Sequence, residues 1–584
     1  MPVCSEVLPE ERFGMKKNRN SQQNFEHSAV ILLISVLLVK LIGAVFKIPL
    51  KNLIGTLGFG YFSSAYDLFL PIYALSMAGL PVAVSRIVAE SAAAGRYRDA
   101  RTTFRVAKKA FLVTGLCGFA VMLAALYPYA RVTMNDPAGQ KYVALCVFAI
   151  APALLFCCIM SAYRGYFEGM SNMIPTAVSD VIEALGKLVL GLAFAKILLN
   201  VTGNVAYAAA GALLGITLGT LAGALYLQLR HRFCGDPISE SQLASSDPSA
   251  SQRAIFKKLV LIAVPVVLSS LASNITLLID TTMVKWQLKN VMNSSADYLF
   301  SVYADSIADY NLHAAKALTA ADIPTFLYGI RGEAYTLYNL VPTLTTTLGI
   351  GVIPVLTTAW VRSDRNQVRR NIETILRTTA FIAFPAGVGM AAIAPQLMKL
   401  LYRDVASVQI GSTLLFILGI AAVFSATSVP ITSMLQAIGK PMVPVKNIAV
   451  GAVLKVVVNF LLVGRPEINI KGAPVGTTVC YAYIFFANIF CLLKYSKVRP
   501  NFVSTMLKPL VSALACGAAA FLTARFLSGH ISSNSLIALV CILVAGVVYL
   551  ALIFVLRTLS AEDVEGFPKG KSIAGILKKF HLIR

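Results

Sequence analysis

The chain has 584 residues, 57% hydrophobic and 13% charged, with 51 Lys and Arg against 27 Asp and Glu for a formal charge of +24. A charged fraction about half that of ordinary soluble domains excludes a water-soluble globule. The cations gather in short segments between apolar runs, and no basic domain interleaved with aromatics exists to bind nucleic acid.

Apolar runs of ~20 residues, enough helix to cross ~30 Å of hydrocarbon, recur along nearly the whole sequence. In chain order they cover 28–49, 60–84, 107–128, 142–162, 176–199, 205–229, 255–279, 326–357, 372–394, 407–436, 443–463, 472–493, 505–527 and 534–557. They are continuously apolar rather than alternating, so the expected class is an all-α integral membrane protein of about fourteen spans, not a barrel.

The first run is too long, and lacks the small-residue site, for a cleavable signal peptide. "MKKNRN" at Met15–Asn20 precedes it and places the N-terminus in the cytoplasm by the positive-inside rule. Threading onward puts Arg96, Arg98, Arg101, Arg105, Lys108 and Lys109 inside, with Arg362, Arg365, Arg369, Arg370 and the C-terminal tail. None of the ten cysteines falls outside, so no external disulfide framework is expected. Cys157 and Cys158 lack partners at zinc spacing.

The chain repeats itself. "MIPTAVSDVIEALGKLVLGLAF" from Met173 parallels "MVPVKNIAVGAVLKVVVNFLLV" from Met442, with Pro opening each span and Lys187 or Lys455 about three turns in. "AGLPVAVSRIV" with its basic loop likewise parallels "GVIPVLTTAWV" and "SDRNQVRRNIETILR". The shift is roughly 270 positions there but ~230 between spans one and seven, which implies an insertion of about 40 residues. The expected organisation is a tail at 1–27, a six-helix lobe at 28–230, a linker at 231–254 and a second lobe at 255–493 with an external insert at 285–324. Helices 13 and 14 then occupy 494–557, ahead of a basic tail at 558–584. Two parallel six-span repeats are the pattern of a transporter whose cavity lies between pseudo-symmetric lobes.

The first span carries Lys40, Lys47 and Lys51. At 100° per residue Lys47 and Lys51 fall within about 20° of Lys40, so one stripe holds all three. Lys51 is expected to snorkel to the external headgroups, and Lys47 either snorkels with it or lines a cavity. Lys40, near mid-span, costs ~3 kcal/mol or more unless it faces a wet cavity or an acid. Asp67, Asp180, Glu183, Asp280 and Glu333 are the acids available to Lys40, Lys187 or Arg331. Glu183 and Lys187, four apart, are expected to pair. A positively biased chamber lined by Lys40, Lys47, Lys187, Arg331, Asp67, Glu183 and Asp280 would select an anionic solute. In "YRGYFEGMSNMIPT", Gly165, Gly169 and Pro175 punctuate a short connection that reads as a gate hinge or a plain tight turn, with Arg164 paired to Glu168 across one turn.

These segments, with "KLIGAVFKIPLKNLIGTLGFGYFSSAYDLFLPIYALSMAGLPVAVSRIVAE" and "YTLYNLVPTLTTTLGIGVIP", resemble oligosaccharide flippases of the multidrug/oligosaccharidyl-lipid/polysaccharide exporter (MOP) superfamily. The resemblance is to the stage V sporulation protein B-like branch, related to lipid II flippases, and covers about residues 28 to 557 apart from the insert. It implies two helical bundles that alternate access and carry undecaprenyl-diphosphate-linked sugars to the outer leaflet of a bacterial plasma membrane. It also implies that cavity cations engage the diphosphate; Lys40 matches a first-span cation and Lys47 lies near a second. Arg331 is on the matching eighth span, displaced by a turn, and the second-span arginine has no counterpart because Arg86 lies nearer the inner surface.

A proton- or sodium-coupled drug exporter of the same superfamily is the alternative, disfavoured by the lysine stripe. A membrane glycosyltransferase would need acids in the first external loop, and "KNLIGTLGFG" has none. "GFPKGKS" near the C-terminus misses the phosphate-loop spacing, so no ATP coupling, enzyme activity or cofactor is expected, only a coupling ion or the membrane potential. The expected partners are the lipid-linked glycan and the bilayer, for a monomer working beside cell-wall synthesis enzymes. "KSIAGILKKFHLIR" puts Ile573, Ile576, Leu577 and Phe580 on one face, suited either to the inner leaflet surface or to a frayed basic tail.

The stripe makes one direct prediction: a cysteine replacing Lys40 reacts with a membrane-impermeant maleimide from one side of the membrane. Protection from both sides would mean that no aqueous chamber reaches mid-span.

Overall fold

The computed structural model describes residues 10–556 and 558, apart from 78–79, 234, 248–249, 314–316, 403 and 532, and omits some side chains within that range. The basic tail with its amphipathic face lies outside the described residues. Among the described residues twenty α-helices follow one another: α1 (Glu10–Met77), α2 (Leu80–Ala93), α3 (Tyr97–Thr133), α4 (Pro137–Ile150), α5 (Pro152–Gly169), α6 (Ile174–Thr202), α7 (Val205–Phe233), the short α8 (Glu240–Ala244), α9 (Gln252–Ser294), α10 (Ala296–Val302), α11 (Ala304–His313), α12 (Ile323–Tyr338), α13 (Leu340–Val361), α14 (Arg365–Ala392), α15 (Ala394–Leu401), α16 (Val405–Ala437), α17 (Met442–Val463), α18 (Gly472–Ser496), α19 (Lys508–Ser528) and α20 (Asn534–Val555). Among the described residues no strand occurs.

Helix ends are set by capping. Asp136, Ser251, Asp364 and Asp404 each accept a backbone N–H of the first turn that the helix itself leaves unpaired. Nine helical segments among the described residues have the length and composition to cross a membrane: 97–133, 137–169, 205–233, 365–392, 405–437, 442–463, 469–496, 503–528 and 534–555. The other expected spans fall in α1–α2, α6, α9 and α12–α13, which carry most of the intramembrane charges or kinks.

The first two spans form one helical hairpin within α1. It folds back at Gly55 (φ 68°, ψ 176°), a backbone conformation open essentially to glycine alone. Packing across the hairpin brings Phe46 edge-on to Phe62 at 6.1 Å. The Gly55 turn defines one end of the molecule, and the clusters around Arg96–Lys109 and Arg362–Arg370 define the basic end.

Two repeats build the body. In the first, α1 packs on α6, α4 and α7, and α6 lies on α7 with backbones nearly touching. A β-carbon on Gly215 would come within 2.3 Å of the Gly191 nitrogen, the close approach that lets helices associate without a hydrophobic driving force. In the second repeat α17 lies on α18 as α6 does on α7, with α13, α14 and α16 beside them. Helices α19 and α20 pair with each other and against α14 and α15. The expected insert begins inside α9, which continues to Ser294; α10 and α11 follow, and α11 rests on α16.

Between the repeats, the second arm of the α1 hairpin meets α12 along a seam of small residues. A β-carbon on Gly329 would stand 2.1 Å from the Thr56 carbonyl, and one on Gly60 2.2 Å from that of Thr325. This seam closes the molecule at its Gly55 end.

Only Tyr310, 3.9 Å away, stands near the β-carbon position of Gly55, and nothing lies within 4 Å of that of Gly43. Gly55→Ala should therefore cost about 1–3 kcal/mol of backbone strain, while the helical Gly43→Ala should be neutral or mildly stabilising. Thermal melts of the two purified variants check this.

Candidate functional site

Charge partners sort the cations of the core into two kinds. Lys51, on the first arm of α1, is 2% exposed and does not snorkel. Its ammonium contacts the Asp404 carboxylate, lies 3.6 Å from Glu333 and donates to Ser407 Oγ at 3.0 Å. Ser407 Oγ is 2.5 Å from both carboxylates, and Thr56 reaches Asp404 at 3.3 Å. Asn52 donates to the Leu401 carbonyl at 3.1 Å. Lys51, rather than Lys40, Lys187 or Arg331, is the partner of Glu333. The cluster fastens α1 to α12 and to the N-terminus of α16 across the repeat boundary.

A second buried cluster lies beside it. Arg331 is 3.9 Å from Asp67 and donates to Tyr328 Oη at 3.1 Å, which donates on to Asp67 at 2.6 Å. The guanidinium also stacks on Tyr335 at 4.2 Å. Lys285 of α9, buried, contacts Ser64 Oγ and sits over the Tyr328 ring at 4.6 Å. Tyr129 of α3 donates to the Ser64 carbonyl at 2.9 Å. Arg331 and Asp67 are thus committed to each other at the seam.

The third cluster corrects two expected pairings. Arg164 does not pair with Glu168; it reaches Asp180 at 2.7 Å and Glu183 at 3.1 Å, and Ser179 at 3.0 Å. Glu183 therefore answers Arg164 from α5 rather than Lys187 one turn along α6, because a bidentate-capable guanidinium placed by tertiary packing outcompetes an intrahelical lysine. Gly165 and Gly169 are not in a hinge loop but within α5. A β-carbon on either would strike α2, at the Pro81 carbonyl (2.7 Å) or Val88 (2.7 Å), so they seal a helix seam. Pro175 stands in the first turn of α6, where its missing N–H costs nothing.

Lys187 is left facing Lys47. Both ammonium groups lie 5.1 Å from the centre of the Tyr66 ring, Lys187 also 3.4 Å from Tyr66 Oη and 5.5 Å from the Phe46 ring centre. Among the described residues no carboxylate lies within ion-pairing distance of either. Two half-buried cations, from the first span and the fifth, converge on one aromatic ring. The arrangement suits an anion with an oxygen for each ammonium and apolar or sugar surface against the ring. Lys40 lies two turns back on the same stripe; its side chain, like that of Asp280, is outside the described residues.

Sequence reasoning missed Lys285, Asp404 and Ser407. Asp404 carried a legible signal as the helix cap of "DVAS", but nothing local announces a partner 353 positions away.

This is the architecture of MOP-superfamily transporters. The fold is similar to that of a multidrug resistance MATE family transporter in an inward-facing conformation, with a TM-score of 0.61 over 80% of this chain and 99% of that one at 15% identity. It is also similar to the lipid II flippase MurJ in an inward closed conformation, with a TM-score of 0.59 over 90% of this chain and 99% of that one at 13% identity. Residues 27–361 match the family described as polysaccharide biosynthesis protein, and residues 332–461 match MatE. The chain belongs to the polysaccharide biosynthesis protein family. Among relatives from Bacillus subtilis (strain 168), stage V sporulation protein B is 25% identical across 94% of this chain and 98% of its own length. The lipid II flippase MurJ is 24% identical across 77% and 79%.

The Lys51 cluster yields a test. Lys51→Met leaves the buried Glu333 without its cation and should destabilise by about 3–5 kcal/mol; adding Glu333→Gln should recover a large part. A thermal double-mutant cycle in detergent reads the coupling, and additive losses would mean that the pair contributes nothing.

Proposed function

We propose that this protein is a flippase that moves a lipid-linked sugar, joined through diphosphate to an undecaprenyl-type carrier, from the inner to the outer leaflet by alternating access. Family membership and the two Bacillus relatives support the class. The observation that carries the reading is the meeting of Lys47 and Lys187 at Tyr66, with no carboxylate among the described residues at ion-pairing distance. A diphosphate offers each ammonium its own oxygens and exchanges a charge-assisted contact for the lost hydration. The sugar lies against Tyr66 and Phe46, and the prenyl chain stays in lipid.

The basic end faces the cytoplasm, where positive loops are retained. The Lys51 and Arg331 clusters then close the outer side, so cargo enters from within and outward release requires both to part. Arg331, freed from Asp67, becomes available to the diphosphate on the outward path, and Lys40 extends the cationic track toward the cytoplasmic mouth. Coupling comes from an ion or the membrane potential. A cationic drug as cargo is disfavoured because the lysine pair repels it. The working unit is a monomer in the bacterial plasma membrane that hands cargo to enzymes of cell-wall or polysaccharide assembly.

Lys47→Ala or Lys187→Ala each removes a charged contact worth about 1.5–3 kcal/mol. Each should weaken retention of prenyl-diphosphate lipids, read by native mass spectrometry, roughly ten- to hundred-fold. Both should fail to sustain a flippase-depleted strain that the wild-type gene supports. Full growth together with undiminished lipid retention in the double variant would remove the proposed site.

A further inference from the structure

Helix α3 and the first half of α9 share a buried core but leave a cleft open beside it. Between them, with the end of α1 and the start of α2 as floor, runs a cavity of about 690 Å³, a volume typical of small-ligand sites. Its walls are apolar, Val113 of α3 facing Phe256 and Val260 of α9, and all three are exposed. Lys109 and Arg253 line the same cavity. Arg253 is in the first turn of α9, and Lys109 stands where the apolar run of α3 begins, so both occupy the level at which helices enter hydrocarbon. Glu90, which α2 presents toward α9, does not neutralise this rim. Lys258 holds it at 2.5 Å and Arg86 at 3.2 Å, and those contacts, Lys258 first, keep its carboxyl below the usual carboxylate range.

We propose that this cleft binds an anionic phospholipid, its phosphate between Lys109 and Arg253 and an acyl chain along the α3–α9 wall. The argument for this occupant is complementarity on both counts: a soluble anion has no use for the apolar walls, and a zwitterionic lipid gains less from two cations. The site is separate from the lysine pair, since Ser76 on the cleft floor lies ten residues beyond Tyr66, about 15 Å along the helix. Because α3 belongs to the first repeat and α9 opens the second, a lipid seated here touches both bodies whose separation must change during transport. The inference goes beyond the cargo reading and stands or falls independently of it.

Native mass spectrometry of the purified full-length chain, titrated with phosphatidylglycerol and with phosphatidylcholine of the same chains, tests it. Phosphatidylglycerol should be retained roughly tenfold better or more, as two basic side chains at a headgroup predict. Lys109→Gln with Arg253→Gln, at exposed positions, should abolish that preference, and Val113→Trp should reduce binding of both lipids in protein that still elutes as one species. Lys47→Gln should leave phosphatidylglycerol retention unchanged. Equal retention of the two lipids, an intact preference in the double glutamine variant, or a loss of phosphatidylglycerol with Lys47→Gln would each overturn the site.

Discussion

An ammonium or guanidinium group withdrawn from water must find a carboxylate, a hydrogen-bonding shell or a wet cavity, because nothing else offsets lost hydration. That constraint organises this molecule. Lys51 and Arg331 find carboxylates across the boundary between the repeats, and so become the fastening of one end. Arg164 finds two within the first repeat and ties α5 to α6. Lys47 and Lys187 meet at the Tyr66 ring, with no carboxylate among the described residues at ion-pairing distance.

The glycines complete this division of labour. Helices in lipid gain little from burying apolar surface against one another, so their association depends on close backbone approach. The α6–α7 contact at Gly191 and Gly215 is such an approach, within the first repeat. The seam between Thr56 and Gly329 is equally close but polar at its margins, joined by the Lys51 and Arg331 clusters. A tight seam held by ion pairs rather than by apolar interdigitation can part when its charges find other partners. The difference between packing within a repeat and packing between repeats is what alternating access requires.

A pairing rule derived from one helix failed here for a physical reason. Glu183 and Lys187 satisfy the i, i+4 spacing, yet such a pair contributes only ~0.2–0.5 kcal/mol on a helix surface. Arg164, brought alongside by α5, offers Glu183 and Asp180 a planar fork at shorter range. The weaker local preference yields, and Lys187 is thereby released to face Lys47. Likewise the glycines of "YRGYFEG" suggested a flexible connection, but small residues serve equally to let two helices touch, and the context of α2 decided between the uses.

Sequence alone determined the class, an all-α multi-pass membrane protein, since hydropathy is local in the chain. It also singled out the first-span lysines, because an ammonium in an apolar run is costly wherever the helix packs. What only the tertiary structure decided is which cations are free. Lys51 differs from Lys47 by a single turn on one stripe, yet one is bound to Asp404, 353 residues away, and the other faces Tyr66. Electrostatic energy in a medium of low dielectric depends on distances of a few ångströms between groups far apart in the chain. No pattern along the sequence encodes those distances; the packing of the repeats does.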